Sequence, residues 1–495
     1  MRSPVRTIAI VGGGFSGTVL AARLLRRPPA EPCRIVLIER RAQVGRGVAY
    51  QATVHEQLLN VPAGRMSADP GDPLQFARFA QAHDPALAAQ RFLPRELYGE
   101  YLQDLLRQAV RAAPAQVGFE RIRAEASALH RIDTNGPYLL GLSGQRQLLA
   151  DDVVLACGDP PPADPAWAAA IAGHPAYLRD PHGEGALYGG CRRLLLIGTA
   201  LTMADVALAA AALNPGIEIH ALSRHGLLPA VQSAAATHGA APSDGAAPVD
   251  AAAPSDGAPT AHPVLDFLAY LSDGPVGARR LLRAARALLR DLPRRGGDWL
   301  EVVNAARAAA PTLWQRMPAE ERGRFLRHVR VHWDVHRHRM PPAIGERLAR
   351  LRQTGGLQIH AGHVLQLEEA NGGLRARWRP RGAAAAREIT VDRVINCTGT
   401  DRRLTRTQDP LLRGLLASGL AVPDPLGLGW LTGAHGALIG RDGAAARHLF
   451  YLGPMLRADH WEATAVGELR VHAQRLAAAL APVTNRSTSC TSRPL

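Results

Sequence analysis

The sequence predicts an α/β fold with two dinucleotide-binding domains, Rossmann-like and of the three-layer ββα type, with β-meanders and a helical insertion. Three observations lead to this prediction. A glycine-rich turn joins a strand to a helix at residues 7–27, and a similar strand, turn and helix follow at 193–213. Two apolar segments, 151–158 and 392–399, match in length and in their closing glycine. Strands that alternate with helices are typical of parallel α/β sheets, so the chain carries two copies of one plan.

The first copy begins with an apolar strand, residues 7–11, which runs directly into a G-x-G-x-x-G turn. Gly12 permits the tight turn, Gly14 lets the backbone approach a pyrophosphate, and Gly17 lets the following helix pack closely on the strand. A second apolar strand ends in Glu39, where a carboxylate would accept hydrogen bonds from the ribose hydroxyls. The G-x-G-x-x-G motif alone is weak evidence for a dinucleotide site. The order of strand, glycine turn, helix, second strand and terminal acid together predicts one.

The rest of the first copy follows the same plan. An amphipathic helix is predicted over 97–112, and short alternating runs between 121 and 149 predict a small β-meander. An apolar strand at 152–156 then closes the unit.

The second copy has a strand at 193–197, a turn at 198–203, a helix at 204–213 and a strand at 217–222. A guanidinium at the ribose position attracts a 2′-phosphate, so Arg224 favours NADP(H) over NAD(H). An ordinary surface arginine is the alternative interpretation, and Ala200 and Met203 replace two glycines of the motif. We assign to NAD(P) Gly198, Thr199, Ala200, Thr202, Met203, Ser223 and Arg224.

The second copy also contains the insertion. Residues 234–260 are rich in Ala, Pro, Gly and Ser, which predicts a flexible linker, and 262–352 are predicted to be a helical insertion. Its segment 279–290 has an apolar stripe opposed by arginines. Binding to a membrane surface is one interpretation, but packing on the protein itself is favoured. A second meander is expected from 357 to 378.

After Gly399 the chain is predicted to return to a strand at 449–453 and a helix at about 461–480. We therefore expect an FAD-binding domain formed by 1–160 and 400–482, an NAD(P)H-binding domain at 190–399, and a disordered tail at 483–495.

Composition excludes several classes of partner. The net charge is +15, but all 58 cationic side chains are arginines spread along the whole chain, and aromatic residues make up only 5%, so we expect no nucleic-acid partner. The five cysteines form no C-x-x-C, which disfavours a zinc site and a redox-active disulfide, and no metal is expected. The apolar run 194–213 is broken by Gly198 and fits a strand and a helix better than a membrane span. A cytoplasmic location is expected.

Two dinucleotides in one chain are best explained by NAD(P)H passing a hydride to FAD. The absence of a cysteine pair disfavours disulfide reduction. The reduced flavin would then either react with O₂, forming a C4a-hydroperoxide that hydroxylates a substrate, or pass its electrons to another acceptor.

The chain resembles a family of FAD/NAD(P)-binding flavoprotein monooxygenases that includes a bacterial FAD-dependent urate hydroxylase and an aspartate N-monooxygenase. More distantly it is similar to the flavin monooxygenases and ornithine N-hydroxylases. The motifs that carry the resemblance are VGGGFSG (11–17), GRGVAY (45–50), LLNVPAGRMSA (58–68), VVLACGD (153–159), GTALTMAD (198–205), ALSRHGLLP (221–229), WDVHRHRMPP (333–342) and VINCTGTD (394–401).

The resemblance implies that Gly12, Gly14, Gly17 and Glu39 hold the pyrophosphate and ribose of FAD, and that residues 45–50 and 60–66 lie near the flavin. The residues assigned to FAD are Gly12, Gly14, Phe15, Ser16, Gly17, Glu39, Arg40, Gly47, Asn60, Gly158, Gly399 and Gly453.

The resemblance also suggests an activity, the conversion of urate, NAD(P)H and O₂ to 5-hydroxyisourate in urate degradation, a part of purine metabolism. N-hydroxylation of an amino acid or amine is the first alternative. An NAD(P)H-dependent flavin dehydrogenase without oxygen insertion and a non-catalytic FAD-binding redox sensor are the others. The expected partners are therefore a small molecule, urate or an amino compound, and O₂.

Residues 332–339 contain several histidines and arginines that could bind anionic urate. The commoner interpretation is structural, with these side chains joining the insertion to the core. His332 and His336 have metal-ligand spacing, but no further acid or cysteine completes a zinc set. No catalytic base is required if the cofactor carries the difficult step. The weak catalytic candidates are Tyr50, His55, Asn60, His336, Arg337 and Arg339.

Overall fold

The computed structural model describes residues 5–51, 57–89, 91–133, 136–182, 190–232, 276–291, 299–370 and 372–482. His55, the linker 234–260, the first part of the insertion and the tail 483–495 lie outside the described residues.

The first sheet has six strands and contains the N-terminal glycine turn at its centre. All neighbouring strands are parallel except the pair at one edge, which is antiparallel. Its central strands are almost wholly apolar and buried, as expected for a parallel sheet covered on both faces. In spatial order the strands are β15 (Ala437–Ile439), β16 (Ala445–Tyr451), β7 (Asp152–Leu155), β1 (Arg6–Val11), β2 (Cys33–Glu39) and β3 (Val117–Arg123).

The first helix packs against two later helices of the chain. The predicted helix 97–112 matches the observed α3 closely, whereas the helix expected from 461 begins at Val466. A 3₁₀ turn, Pro454–Ala458, and further turns precede it. The helices beside this sheet are α1 (Phe15–Arg26), α2 (Gln75–His83), α3 (Arg95–Arg111), α10 (Pro410–Ser418) and α11 (Val466–Leu480).

The predicted first meander is an antiparallel sheet of β4 (Ala126–Arg131), β5 (Tyr138–Leu142) and β6 (Arg146–Ala150). Its expected start at 121 is wrong, because residues 121–123 belong to β3, which pairs in parallel with β2. Alternation along one strand does not reveal which neighbour the strand will pair with.

The second sheet has seven strands, and its longest strand belongs to two pairing patterns. The first part of β11 (Leu357–Ala370) pairs in parallel with β10 (Glu218–Ser223), and the remainder pairs antiparallel with β12 (Gly373–Pro380). The expected second meander therefore starts inside the parallel sheet. In spatial order the strands are β13 (Arg387–Val391), β12 (Gly373–Pro380), β11 (Leu357–Ala370), β10 (Glu218–Ser223), β9 (Arg193–Ile197), β14 (Arg393–Asn396) and β8 (Tyr177–Leu178).

The two copies share the same local geometry. Gly12 and Gly198 have φ values of +108° and +114°, and their N–H groups each donate at 2.8 Å, to the carbonyls of Ile38 and Leu222. A Cβ atom at either glycine would lie 2.4 Å from a carbonyl oxygen of the neighbouring strand end. Both turns therefore require glycine, and the predicted α/β fold with two Rossmann-like units is confirmed.

The amphipathic segment predicted at 279–290 forms one of the helices of the insertion. In α5 (Ala278–Asp291), Leu281, Ala285 and Leu288 pack into a small core, whereas Leu289 is 41% exposed. No helix within the described ranges is long and apolar enough to cross a membrane. The helices are α4 (Leu201–Leu213), α5 (Ala278–Asp291), α6 (Trp299–Arg316), α7 (Ala319–His328), α8 (Arg330–Arg337) and α9 (Pro342–Gln353).

Candidate functional site

The N-terminus of α1 begins at a glycine-rich turn without a side-chain cap. A Cβ atom at Gly17 would lie 1.9 Å from the carbonyl oxygen of Gly12, so the helix and the turn touch through glycine. Gly14 precedes the helix, and no described side chain caps it. The N–H groups of Phe15 and Ser16 in this first turn therefore lack a side-chain acceptor. Uncapped N–H groups at the positive end of a helix fit the pyrophosphate of a dinucleotide.

Glu39 organises this turn from the end of β2. Its side chain is buried and accepts hydrogen bonds from the backbone N–H of Gly13 at 2.7 Å and of Arg41 at 2.8 Å. Each carboxylate oxygen keeps a second lone pair, which could accept a ribose hydroxyl. Arg40, which the sequence assigned to FAD, donates to Glu125 on the exposed surface at 3.1 Å.

The glycine-rich loop at 45–50 packs directly on this turn. Gly45 donates to the carbonyl of Gly13 at 2.7 Å, and a Cβ atom at Gly47 would lie 3.2 Å from the Cα of Gly14. The Tyr50 ring contacts Tyr98 edge-on at 4.7 Å between centroids. Burial raises the pKa of Tyr50 to about 12, so its hydroxyl stays protonated at neutral pH.

The glycines after β7, β14 and β16 lie near one another at the strand ends. The Tyr451 hydroxyl donates to the carbonyl of Gly158 at 3.0 Å and accepts from the N–H of Met455 at 3.2 Å. Arg402 binds Asp159 through two hydrogen bonds, of 2.7 and 2.5 Å. Because Asp159 follows Gly158 and Arg402 follows Gly399, this ion pair joins the ends of the two sheets.

Two further contacts join the N-terminal region to the second copy. Arg95 at the start of α3 forms an ion pair of 2.9 Å with Asp205 in α4. The backbone carbonyl of Asn60 accepts from the Gln232 amide at 2.6 Å. The sequence predicted neither contact, because Arg95 and Gln232 lie outside the motifs that contain Asp205 and Asn60.

The second turn keeps the geometry of the first despite its substitutions. Ala200 precedes α4 in an extended conformation with φ of −87°, close to that of Gly14, so alanine is accommodated without strain. Met203 is fully buried in the second core. Thr202 lies partly exposed in the first turn of α4, which no described side chain caps.

Ser223 stands in the second copy where Glu39 stands in the first, because Gly198 bonds to the preceding residue as Gly12 does. Its hydroxyl lies 2.8 Å from that of Thr199 and accepts from Gly226 N–H at 3.0 Å. Arg224 follows and is exposed. A neutral hydroxyl followed by an exposed guanidinium would not repel a 2′-phosphate.

The side chains at 332–339 largely bind other parts of the protein. Arg337 donates to Glu462 at 2.8 Å, and Trp333 donates to the same carboxylate at 3.2 Å. His336 is exposed, with Nδ1 2.7 Å from the His332 carbonyl. Arg339 follows α8 and is half-buried. These contacts agree with the structural interpretation, in which the cluster joins the insertion to the C-terminal segment.

Across the residues that the structure describes, no group of three His, Cys, Asp or Glu side chains could hold a metal ion. Burial raises the pKa of the Cys397 thiol, which therefore stays protonated at neutral pH, whereas Cys157 is exposed.

The comparisons with known proteins agree with this architecture. Residues 9–160 match a family model described as FAD-NAD(P)-binding. No curated protein matches the sequence significantly. An ornithine hydroxylase from Pseudomonas aeruginosa has a TM-score of 0.62 at 15% identity, over 96% of this chain and 98% of that chain.

Two further solved structures are similar over the same extent. An L-lysine 6-monooxygenase from Pseudomonas syringae has a TM-score of 0.59 at 17% identity, over 96% of this chain and 98% of that chain. An ornithine N-hydroxylase from Kutzneria sp. 744 has a TM-score of 0.57 at 15% identity, over 96% and 99% of the two chains. The chain therefore has an FAD-NAD(P)-binding N-terminal region and, over nearly its whole length, the fold of these monooxygenases.

Proposed function

We propose that this protein is an FAD- and NAD(P)H-dependent monooxygenase that hydroxylates the nitrogen of an amine. The observation that carries the proposal is the presence of two equivalent dinucleotide turns in one chain whose fold matches amine N-hydroxylases over 96% of its length. The similar structures include enzymes named for ornithine, for lysine and, in a cadaverine monooxygenase from Erwinia amylovora, for a diamine.

In this proposal the first copy, with residues 400–482, holds FAD. The uncapped N–H groups after Gly14 would bind its pyrophosphate, and Glu39 would accept its ribose hydroxyls. When bound, FAD supplies the transfer of two electrons from the nicotinamide and the activation of O₂. The aromatic cluster around Tyr98 packs beneath the 45–50 loop and would exclude water from that side.

The second copy would hold NAD(P)H. The N-terminus of α4 would bind its pyrophosphate, and the exposed guanidinium of Arg224 would bind a 2′-phosphate if the dinucleotide is NADPH. The similar ornithine N-hydroxylase from Kutzneria sp. 744 has NADP⁺ and L-ornithine bound, which supports NADPH as the reductant.

An amine is a better-supported substrate than urate. The arginines and histidines expected to bind anionic urate have other partners, since Arg337 is paired with Glu462 and His336 with a backbone carbonyl. Burial lowers the pKa of His338 to about 4, so this side chain is neutral at pH 7 and offers no positive charge. The solved structures described above include no urate hydroxylase.

The decisive experiment measures flavin content, reduction by NADPH and NADH without oxygen, and oxygen uptake with amines or urate. We expect a yellow protein whose oxygen uptake is stimulated by an amine and yields an N-hydroxylated product. Stimulation by urate with formation of 5-hydroxyisourate would instead support the urate hypothesis. NAD(P)H oxidation that does not depend on oxygen would support a dehydrogenase. A flavin that NAD(P)H does not reduce would support a sensor, and failure to bind FAD would overturn the whole proposal.

A further inference from the structure

Helix α5 (Ala278–Asp291) has two chemically different faces. The inner face packs into the small core of apolar side chains through Leu281, Ala285 and Leu288. At the start of the helix, the Glu321 carboxylate accepts a hydrogen bond of 2.8 Å from the first backbone N–H. The helix is therefore held against the protein by its inner face and its first turn.

The opposite face of α5 is basic. Arginines recur along it every three or four residues, so their side chains lie on one side of the helix. All four are exposed, and together with two leucines they line one continuous depression of the surface. We call this group the basic face, and its members are Arg279, Arg283, Arg286, Arg290, Leu282 and Leu289.

No carboxylate neutralises the basic face. Among the described residues, none of its four arginines forms an ion pair, and the hydrogen bond of 3.4 Å from Arg290 to the Arg286 carbonyl stays within the helix. The exposed Arg324 of the neighbouring helix α7 differs, because it binds both Glu320 and Glu321. A solvated helix face commonly carries charges of both signs in this way, whereas the basic face of α5 carries only one.

The spacing of these arginines produces repulsion within the helix. Successive arginines of the basic face are three or four residues apart, and like charges at these spacings repel one another and destabilise a helix. The local sequence adds to this charge, since residues 278–295 contain seven arginines and a single acidic residue, Asp291. An anionic surface beside the basic face would replace the repulsion by attraction.

The two leucines indicate which kind of anionic surface fits. Leu289 is 41% exposed and Leu282 is half-buried, and both lie beside the arginines. A nucleic acid offers phosphates but no apolar phase for a leucine, whereas a bilayer offers lipid phosphates with acyl chains directly beneath them. Arginine stems lie along apolar surface while their guanidinium groups reach polar surroundings. Arginine and leucine on one helix face are therefore typical of binding to an anionic membrane surface.

We propose that the basic face of α5 binds the surface of a membrane that contains anionic phospholipids. The four guanidinium groups bind lipid phosphates, and the two leucines enter the boundary between the headgroups and the acyl chains. The protein lies on the membrane and does not span it. Packing on the protein, which the sequence favoured for this segment, is compatible with this role because it uses the inner face of α5. The inference concerns where the protein works and does not depend on the identity of its substrate.

The first experiment measures binding to vesicles. The FAD-loaded full-length protein is sedimented with vesicles of phosphatidylcholine and with vesicles of an equimolar mixture of phosphatidylcholine and phosphatidylglycerol. We expect binding to the anionic vesicles that weakens as the salt concentration rises, and little binding to the neutral vesicles. Equal binding to both kinds of vesicle, or no binding to the anionic vesicles at low salt, would overturn the proposal.

The second experiment compares two double variants that remove the same charge. The variant Arg283→Gln/Arg286→Gln changes the basic face, and Arg377→Gln/Arg379→Gln changes two exposed arginines of β12. Each arginine near an anionic surface contributes a factor of about five in affinity, so the first variant should bind anionic vesicles about 30-fold more weakly. The second variant should bind nearly as tightly as the wild type. An equal loss in both would mean that the net charge of the whole chain attracts the lipid, which would refute a specific role of α5.

A third comparison separates a membrane from other polyanions. Leu289→Gln should weaken binding to anionic vesicles by about three- to tenfold, whereas Leu149→Gln, which changes a leucine of β6 that is 51% exposed, should not. If the protein binds double-stranded DNA or heparin as tightly as anionic vesicles, and Leu289→Gln changes neither, the basic face binds polyanions in general and the proposal fails.

The stability of the variants separates a binding role from a structural one. Glutamine and arginine have similar helix propensities, so Arg283→Gln/Arg286→Gln should keep the unfolding temperature and the flavin content of the wild type. A large loss of stability would mean that these arginines hold α5 on the protein and would contradict the inference. None of these measurements requires turnover, so they decide the membrane role even if no amine stimulates oxygen uptake and the proposed function fails.

Discussion

The Glu39 carboxylate provides the sharpest test of the candidate FAD site. Both of its oxygens accept backbone N–H groups, from Gly13 at 2.7 Å and Arg41 at 2.8 Å. In Glu39→Gln one oxygen becomes an NH₂ group, which cannot accept, so one backbone donor loses its acceptor and the other keeps only a neutral one. Hydrogen bonds to a charged group contribute about 1.5–3 kcal/mol, and we expect the free energy of unfolding to fall by that amount.

The same change should weaken FAD binding, because a ribose hydroxyl would also lose a charged acceptor. At about 1.4 kcal/mol for each factor of ten, a similar loss raises the Kd for FAD by about 10- to 150-fold. Flavin fluorescence released on dilution of the holoprotein measures this affinity, and urea unfolding measures stability. Ser223→Ala, at the equivalent position of the second copy, is the matched control and should leave FAD affinity unchanged.

The two measurements together decide what Glu39 does. If Glu39→Gln loses stability but binds FAD as tightly as wild type, the carboxylate only shapes the Gly13 turn, and its assignment to the ribose is wrong. If Ser223→Ala weakens FAD binding to the same degree, the two copies do not hold separate dinucleotides.

Three further predictions follow from individual side chains. Gly12→Ala should abolish FAD binding or folding, because its Cβ would lie 2.4 Å from a backbone oxygen. Gly144→Ala is the control, because Gly144 also has a positive φ but lies in open space, and it should lower the free energy of unfolding by only about 1 kcal/mol. Urea unfolding and flavin content distinguish the two variants. Arg224→Ala should raise the KM for NADPH and leave that for NADH unchanged, and equal effects on both would contradict a 2′-phosphate contact. Burial lowers the pKa of His338 to about 4 and of His472 to about 3, so the unfolded chain takes up protons first as the pH falls below about 6.5. Stability is therefore fully present above that pH, and each histidine should remove about 2 kcal/mol between pH 7 and 5. Urea unfolding should show a smaller loss in His472→Gln, and an identical pH dependence would refute this explanation.

Local patterns in the sequence predicted the two strand–turn–helix units and their equivalence. They succeeded because the physical requirement is local: a tight turn with positive φ and a backbone contact at Gly12 and Gly198 admits only glycine. The predicted helix ends were less accurate. Helix α4, for example, begins three residues before its predicted start. The helix begins directly after Ala200, although alanine replaces the glycine of the motif at this position.

The pairing of strands required the tertiary structure. Residues 121–123 have the same alternation as the strands that follow, yet they belong to β3, which pairs in parallel with β2, and β11 changes its partner along its length. The neighbour of a strand depends on how the rest of the chain is wound, which a short window does not contain.

The sequence by itself determined the α/β class, the two dinucleotide turns and the glycines that form them, since each follows from backbone geometry within a few residues. Only the tertiary structure decided how the charges are paired: Arg40 with Glu125, Arg337 with Glu462, and Arg457 with Asp334 at 3.7 Å. Ion pairing depends on distance and burial between residues far apart in the chain, and an arginine-rich sequence offers many partners of equal chemistry.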